Sequence, residues 1–134
     1  MLERVLLLMG ITVTLLVLLP AALRLWDRRF LRRPADVPGP AVVAFTHPLC
    51  GPCRTVQQPA LERLRAIAGH VRVEVVDVQR EPHRAQRYGI LTVPATAVVD
   101  PSGRIAAVNH GVADERRLLR QLEGSSGGVR EGLE

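Results

Sequence analysis

The sequence predicts an α/β domain built in the order β-α-β-α-β-β-α around a central mixed sheet, preceded by one transmembrane helix. Three observations carry this reading. Val5 to Leu23 holds no charged residue, and as a helix it spans roughly 28 Å, close to the hydrocarbon thickness of a bilayer. The apolar run Ala41 to Thr46 leads into Cys50-Gly51-Pro52-Cys53 and then into a segment of helical spacing, which reads as strand, turn and helix. Val71 to Val78 and Ala95 to Asp100 are rich in β-branched residues, and a Pro101-Ser102-Gly103 turn joins the second to Arg104–Val108 as a hairpin.

The elements follow in chain order. Residues 5–25 are assigned to the anchor. Gly10, Thr12, Thr14 and Pro20 are compatible with it, because transmembrane helices accept Gly and Pro more readily than soluble ones. A short chain of 134 residues has no core large enough to bury such a helix on all sides. A cleaved signal peptide is the rival, but its apolar region is usually shorter, and Pro20 to Arg24 makes a poor small-x-small cleavage site. Residues 26–40 read as a basic, Pro-rich linker, with Trp26 to Phe30 at the membrane interface and Pro34, Pro38, Gly39 and Pro40 extended. The globular domain is placed at 41–123. Within it, Arg54 to Ala68 reads as a helix with Val56, Leu61, Leu64 and Ile67 near one face. Glu81 to Tyr88 reads as a short helix opened by Pro82. Strand, long helix and strand form a right-handed parallel unit. Ala113 to Glu123 closes the core through Leu118, Leu119 and Leu122, and residues 124–134, rich in Gly and Ser, read as a flexible tail.

The formal charge is +5 and is carried by Arg alone, since the chain has no Lys. A nucleic-acid partner is not expected: aromatic residues make up 3%, and the basic residues of the globular part are interspersed with acids. The densest basic cluster, Arg24, Arg28, Arg29, Arg32 and Arg33, directly follows the apolar run and reads as a membrane flank. The N-terminal flank has only Glu3, Arg4 and the amino group, so the positive-inside rule puts the globular domain in the cytoplasm, with an extracytoplasmic domain as the alternative.

Cys50 and Cys53 are the only cysteines. Two thiols one helical turn apart can close a ring, so one can attack a disulfide and the other can resolve the intermediate. Cys50, at the helix start, gains from the unpaired amides and the helix dipole and is the candidate nucleophile; Cys53, one turn inside, is the resolving thiol. The competing reading is a structural disulfide, but so short a loop constrains little of the unfolded chain. A zinc site would need a second ligand cluster, and the four His residues are scattered singly. No metal is expected, and no cofactor beyond the cysteine pair.

These residues resemble the thioredoxin family. Cys50-Gly51-Pro52-Cys53 is the active-site tetrapeptide of thioredoxins. Tyr88-Gly89-Ile90-Leu91-Thr92-Val93-Pro94 looks like the family's Tyr-Gly-Ile-x-x-x-Pro segment, and the hairpin from Ala95 to Gly111 is similar to its closing pair of strands. The resemblance covers roughly residues 41 to 123 and implies a minimal thioredoxin-like fold without the extra first strand and helix. It implies that Val93–Pro94 is cis and lays the Val93 backbone against an extended substrate. It also implies that Gly51 and Pro52 shape a reducing active-site turn, with a potential around −270 mV. Protein disulfides would be the substrates and an unidentified electron donor the reductant.

Some positions depart from the family's pattern. Leu49 stands where thioredoxins usually have Trp. Ala44 stands where many have a buried acid that shuttles protons to the resolving thiol, and Val75 where that acid's Lys partner would lie. His47 is a candidate for tuning the thiolate or an exposed bystander, and the helix proline, Pro59, comes one residue later than usual. The leading reading is a membrane-tethered thiol-disulfide oxidoreductase; the rival is a non-catalytic binding or assembly module of the same fold.

Overall fold

The computed structural model describes residues 1–130. Four strands form one sheet in the order β2-β1-β3-β4: β1 (Ala41–Thr46), β2 (Arg72–Asp77), β3 (Ala95–Val99) and β4 (Ile105–His110). β1 lies parallel to β2 and antiparallel to β3, and β3 is antiparallel to β4. The sheet is therefore mixed, and the element order β-α-β-α-β-β-α is the one expected. Ala41 to Phe45 are all buried, as a central strand covered on both faces requires.

The pleat divides the core in two. Val42, Ala44 and Val98 face α2 (Gln58–Ile67) and α4 (Glu115–Arg130), where they meet Leu61, Leu64, Leu118 and Leu122. Val43, Phe45, Ala97 and Val99 face the other way, onto Tyr88, Ala85 and Val37 beside α3 (Pro82–Arg87). Phe45 and Tyr88 stack with ring centroids 5.3 Å apart. Asn109 of β4 donates to Thr96 of β3 and exchanges hydrogen bonds with Gln121 of α4, tying that helix to the sheet.

Four expectations need correction. First, residues 26–40 are not an extended spacer. α1 runs from Leu2 to Phe30 with Pro20 inside it, so Trp26 to Phe30 continue the apolar helix instead of opening a spacer. It ends where Arg32 takes a positive φ of 65°. The chain then docks on the outer edge of β4: Arg32 N–H donates to Ile105 C=O (2.7 Å), Ile105 N–H to Arg33 C=O (2.9 Å) and Ala35 N–H to Gly103 C=O (2.9 Å). Pro34 lies opposite Arg104, at an edge position where a missing N–H costs little. Leu31, Ala35 and Val37 pack into the core, so this segment shields an otherwise open strand.

Second, α4 continues through Arg130 instead of ending at Glu123. Ser125 and Ser126 both donate their hydroxyls to the Leu122 carbonyl (2.7 and 3.0 Å), so two residues read as tail are tied into the helix. Residues 131–134 of the expected tail lie outside the described residues. Third, Val56 and Ile67 are exposed. The inward stripe runs Cys53, Gln57, Leu61, Leu64, Ala68, and the two aliphatics sit one position off it. Fourth, β2 is shorter at both ends than Val71–Val78.

Candidate active site

β1 ends at Thr46, and the loop from His47 to Cys50 turns the chain into a helix that begins at Gly51. Cys50 and Cys53 form a disulfide across this turn, with Cα atoms 5.4 Å apart. Cys50 is half-buried at the surface, whereas Cys53 is only 5% exposed. The Cys53 N–H points at Cys50 Sγ at 3.2 Å. A backbone donor aimed at a sulfur favours its charged form, and the helix dipole acts in the same direction. Cys50 therefore has exposure and a built-in donor, and Cys53 has neither.

Past Cys53 the helix widens. Cys53–Gln57 form a π-helical turn, and Gln58 N–H donates to Cys53 C=O. Pro59, in the first turn of α2, has no N–H to give to the turn before it, and the wider spacing absorbs that missing bond. Gln57 closes the turn and is 2% exposed. Its side chain amide donates to Ala113 C=O (2.9 Å) and its oxygen accepts from Ala113 N–H (3.0 Å), clamping the active-site helix to the loop before α4. Sequence reasoning missed Gln57. A polar residue on the inward stripe, four positions after Cys53, was the available signal.

The sheet register brings the two motifs to the same end. Ala95 pairs with Phe45, so Pro94 emerges beside the strand end that leads to Cys50. The Val93–Pro94 peptide is cis, as the resemblance implies, and Pro94 C=O accepts from Gly111 N–H (2.9 Å). Leu49 stands 87% exposed beside the cysteines. His47 is turned into its own loop, its Nδ1 accepting from Leu49 N–H at 3.1 Å. Among the described residues, no group of three or more His, Cys, Asp or Glu side chains is placed to hold a metal ion. Behind Cys53, between the ends of β1 and β2 and the π turn, lies a cavity of about 350 Å³ whose lining includes Ala44, Gln57, Val75 and Asp77.

A second cluster sits where the docked segment meets α3. Arg84 Nε donates to Asp36 at 2.5 Å and Arg84 Nη1 to Glu74 at 2.7 Å, while the Tyr88 hydroxyl donates to Asp36. Burial opposes ionisation of Asp36, but the hydrogen bonds from Arg84 and Tyr88 and the Arg84 charge prevail and hold its carboxyl below the usual range. Burial, with the same Asp36 partner, pushes Tyr88 up.

The comparisons with known proteins agree with this geometry. The thioredoxin family profile matches residues 24–123. Thioredoxin 1 of Nostoc is 30% identical over 77% of this chain and 95% of its own length. Thioredoxin of Rhodospirillum rubrum is 33% identical over 65% of this chain and 83% of its own. Among solved structures, a thio-disulfide isomerase from Thermus thermophilus superposes with a TM-score of 0.57 at 26% identity, over 67% of this chain and 81% of that one. The chain belongs to the thioredoxin family and is a thiol-disulfide oxidoreductase with a redox-active cysteine pair.

Proposed function

We propose that this protein is a membrane-tethered reductant of protein disulfides in which Cys50 attacks and Cys53 resolves. The Cys50 thiolate attacks one sulfur of a substrate disulfide, forming a mixed disulfide and releasing the other substrate sulfur, which takes up a proton. Cys53 then attacks Cys50 Sγ, forming the Cys50–Cys53 disulfide and releasing the second substrate thiol. Two electrons pass to the substrate, and an electron donor must return them to the Cys50–Cys53 disulfide. The observation that carries this reading is the Cys53 N–H aimed at Cys50 Sγ, with Cys50 the more exposed residue of the pair. Val93 and Pro94, at the same end of the sheet, are assigned to substrate docking, and Gly51 and Pro52 to shaping the turn.

Tethering is supported by α1, whose mean hydropathy reaches 2.5 in its most apolar stretch, none of which is buried among the described residues. Its hydroxyls are satisfied within the helix: Thr12 donates to Leu8 C=O and Thr14 to Gly10 C=O, both at 2.8 Å. The Arg cluster favours a cytoplasmic domain. The juxtamembrane segment joins the sheet at the hairpin end, where β4 begins, and Cys50 lies at the opposite end, which suits substrates that project from the bilayer.

The test is insulin reduction by the full chain in detergent, with Cys53→Ser used to trap mixed disulfides. Turnover in the wild type and a trapped adduct on Cys50 are expected. No reduction by a folded protein would favour the binding-module reading. Mass spectrometry of the membrane-extracted protein should find the original N-terminus; a soluble form starting near Leu23 would count against the anchor.

A further inference from the structure

We propose that Asp77 accepts the proton Cys53 gives up when it resolves the mixed disulfide, an inference that rests on Cys53 being the resolving thiol. The problem is set by burial. Cys53 is 5% exposed, and a thiol must shed its proton to become a nucleophile. The outer side of the turn is occupied by the substrate joined to Cys50, so the proton has to leave at the back.

The cavity behind Cys53 supplies that exit. At about 350 Å³ it has room for several waters, and its lining includes polar partners for them. Its small floor comes from Ala44, which pairs with Val75, and two steps along the same ladder Thr46 pairs with Asp77. A carboxylate at the end of β2 thus borders the same space as the buried thiol.

The other side chains around this space are poor acceptors. The guanidinium groups of Arg54 in the π turn and Arg65 in α2 offer only donors, and Thr46, Gln57 and Gln58 are not bases. His47 is turned away into its own loop, where Nδ1 already accepts a hydrogen bond from Leu49 N–H. Asp77 is different. Its Oδ1 accepts from Gln79 N–H at 2.8 Å, which orients the carboxylate, and its Oδ2 has only the exposed Arg80 at 3.9 Å. Its side chain is 25% exposed, so it can return a proton to solvent.

The step balances. The Cys53 proton passes through cavity water to Asp77 as the Cys53–Cys50 bond forms. The Cys50–substrate S–S bond breaks, and its electron pair leaves on the substrate sulfur, which solvent protonates on the outer face. Asp77 then releases its proton from its exposed edge.

The test uses the reduced full chain in detergent, mixed in a stopped-flow with 5,5′-dithiobis(2-nitrobenzoate). Attack by Cys50 releases one thionitrobenzoate and resolution by Cys53 releases the second, so the two steps read separately. With Asp77→Asn the first phase should keep its rate. The second should slow about tenfold at pH 6.5, a modest share of what general base catalysis supplies, and return to within about twofold of wild type at pH 9.5. Asp77→Glu should recover most of the lost rate, and His47→Gln should keep the wild-type pH dependence. A second phase unchanged in Asp77→Asn, or slowed equally at both pH values, would overturn the proposal. So would a pH-dependent loss in His47→Gln matching the one expected of Asp77→Asn. A wild type releasing only one equivalent would instead sink the assignment of Cys53 as resolving thiol, and this proposal with it.

Discussion

Two corners of this domain handle charge in opposite ways. Where the segment after α1 meets α3, partly buried Asp36, Glu74 and Arg84 crowd around buried Tyr88, and the Arg84 guanidinium is shared between carboxylates. Behind Cys53, facing strand positions carry Ala44 and Val75 instead of an ion pair. The difference teaches where this chain has placed its costly interactions. Partly buried charge fastens the added segment to the fold, while the redox turn relies on a backbone amide and a buried glutamine.

The sharpest way to break this comparison is Arg84→Ala. The Arg84 side chain is 14% exposed, and its loss leaves Asp36 and Glu74 without their cation. The expected cost is about 3 kcal/mol, as for removing one partner of a largely buried pair. Thermal unfolding of the full chain in micelles should show the loss, while Cys50 in the folded variant keeps its wild-type alkylation rate. Arg84→Lys should recover only part, because one ammonium cannot reproduce the two-pronged geometry.

Gln57→Ala probes the other corner. It strips Ala113 of both backbone partners and should cost about 1–2 kcal/mol. Here the disulfide-exchange rate should fall as well, since the clamp holds the turn that carries Cys53. Stability lost without any change in exchange would show that the glutamine serves packing alone.

The smallest effect expected is in pH dependence. Asp36 has its folded pKa depressed, so its contribution is fully present above the ordinary aspartate value of about 3.9 and is lost as pH falls through the lower folded value. Tyr88 is raised, so its contribution is full below about pH 10 and is lost as pH rises through the higher folded value. Unfolding of wild type and Asp36→Asn across pH should show the variant flatter on the acid side. Identical acid arms would mean the Asp36 contacts contribute nothing to stability.

Much of the fold was legible because its signals are local. The spacing of Cys50 and Cys53, the Val93-Pro94 dipeptide before β3 and the Pro101 to Gly103 turn each announce themselves within a few residues. What escaped depends on distant partners. Pro34 to Pro40 has the composition of a linker, and only the open edge of β4 and the Arg84 side chain convert it into a docked segment. Gly124 to Ser126 has the composition of a tail, yet it continues a helix already nucleated by Leu118 and Leu122 packing. Gln57 looked like an ordinary helix residue until Ala113, 56 positions away, supplied its partners.

The most direct measurement of the central claim is the alkylation rate of each cysteine in the reduced full chain at pH 7, followed by mass spectrometry. The structure gives Cys50 exposure and the Cys53 N–H at 3.2 Å, while Cys53 is buried. Cys50 should therefore react much faster, as the thiolate at a helix N-terminus. Equal rates, or faster labelling of Cys53, would contradict the assignment of Cys50 as the attacking thiol.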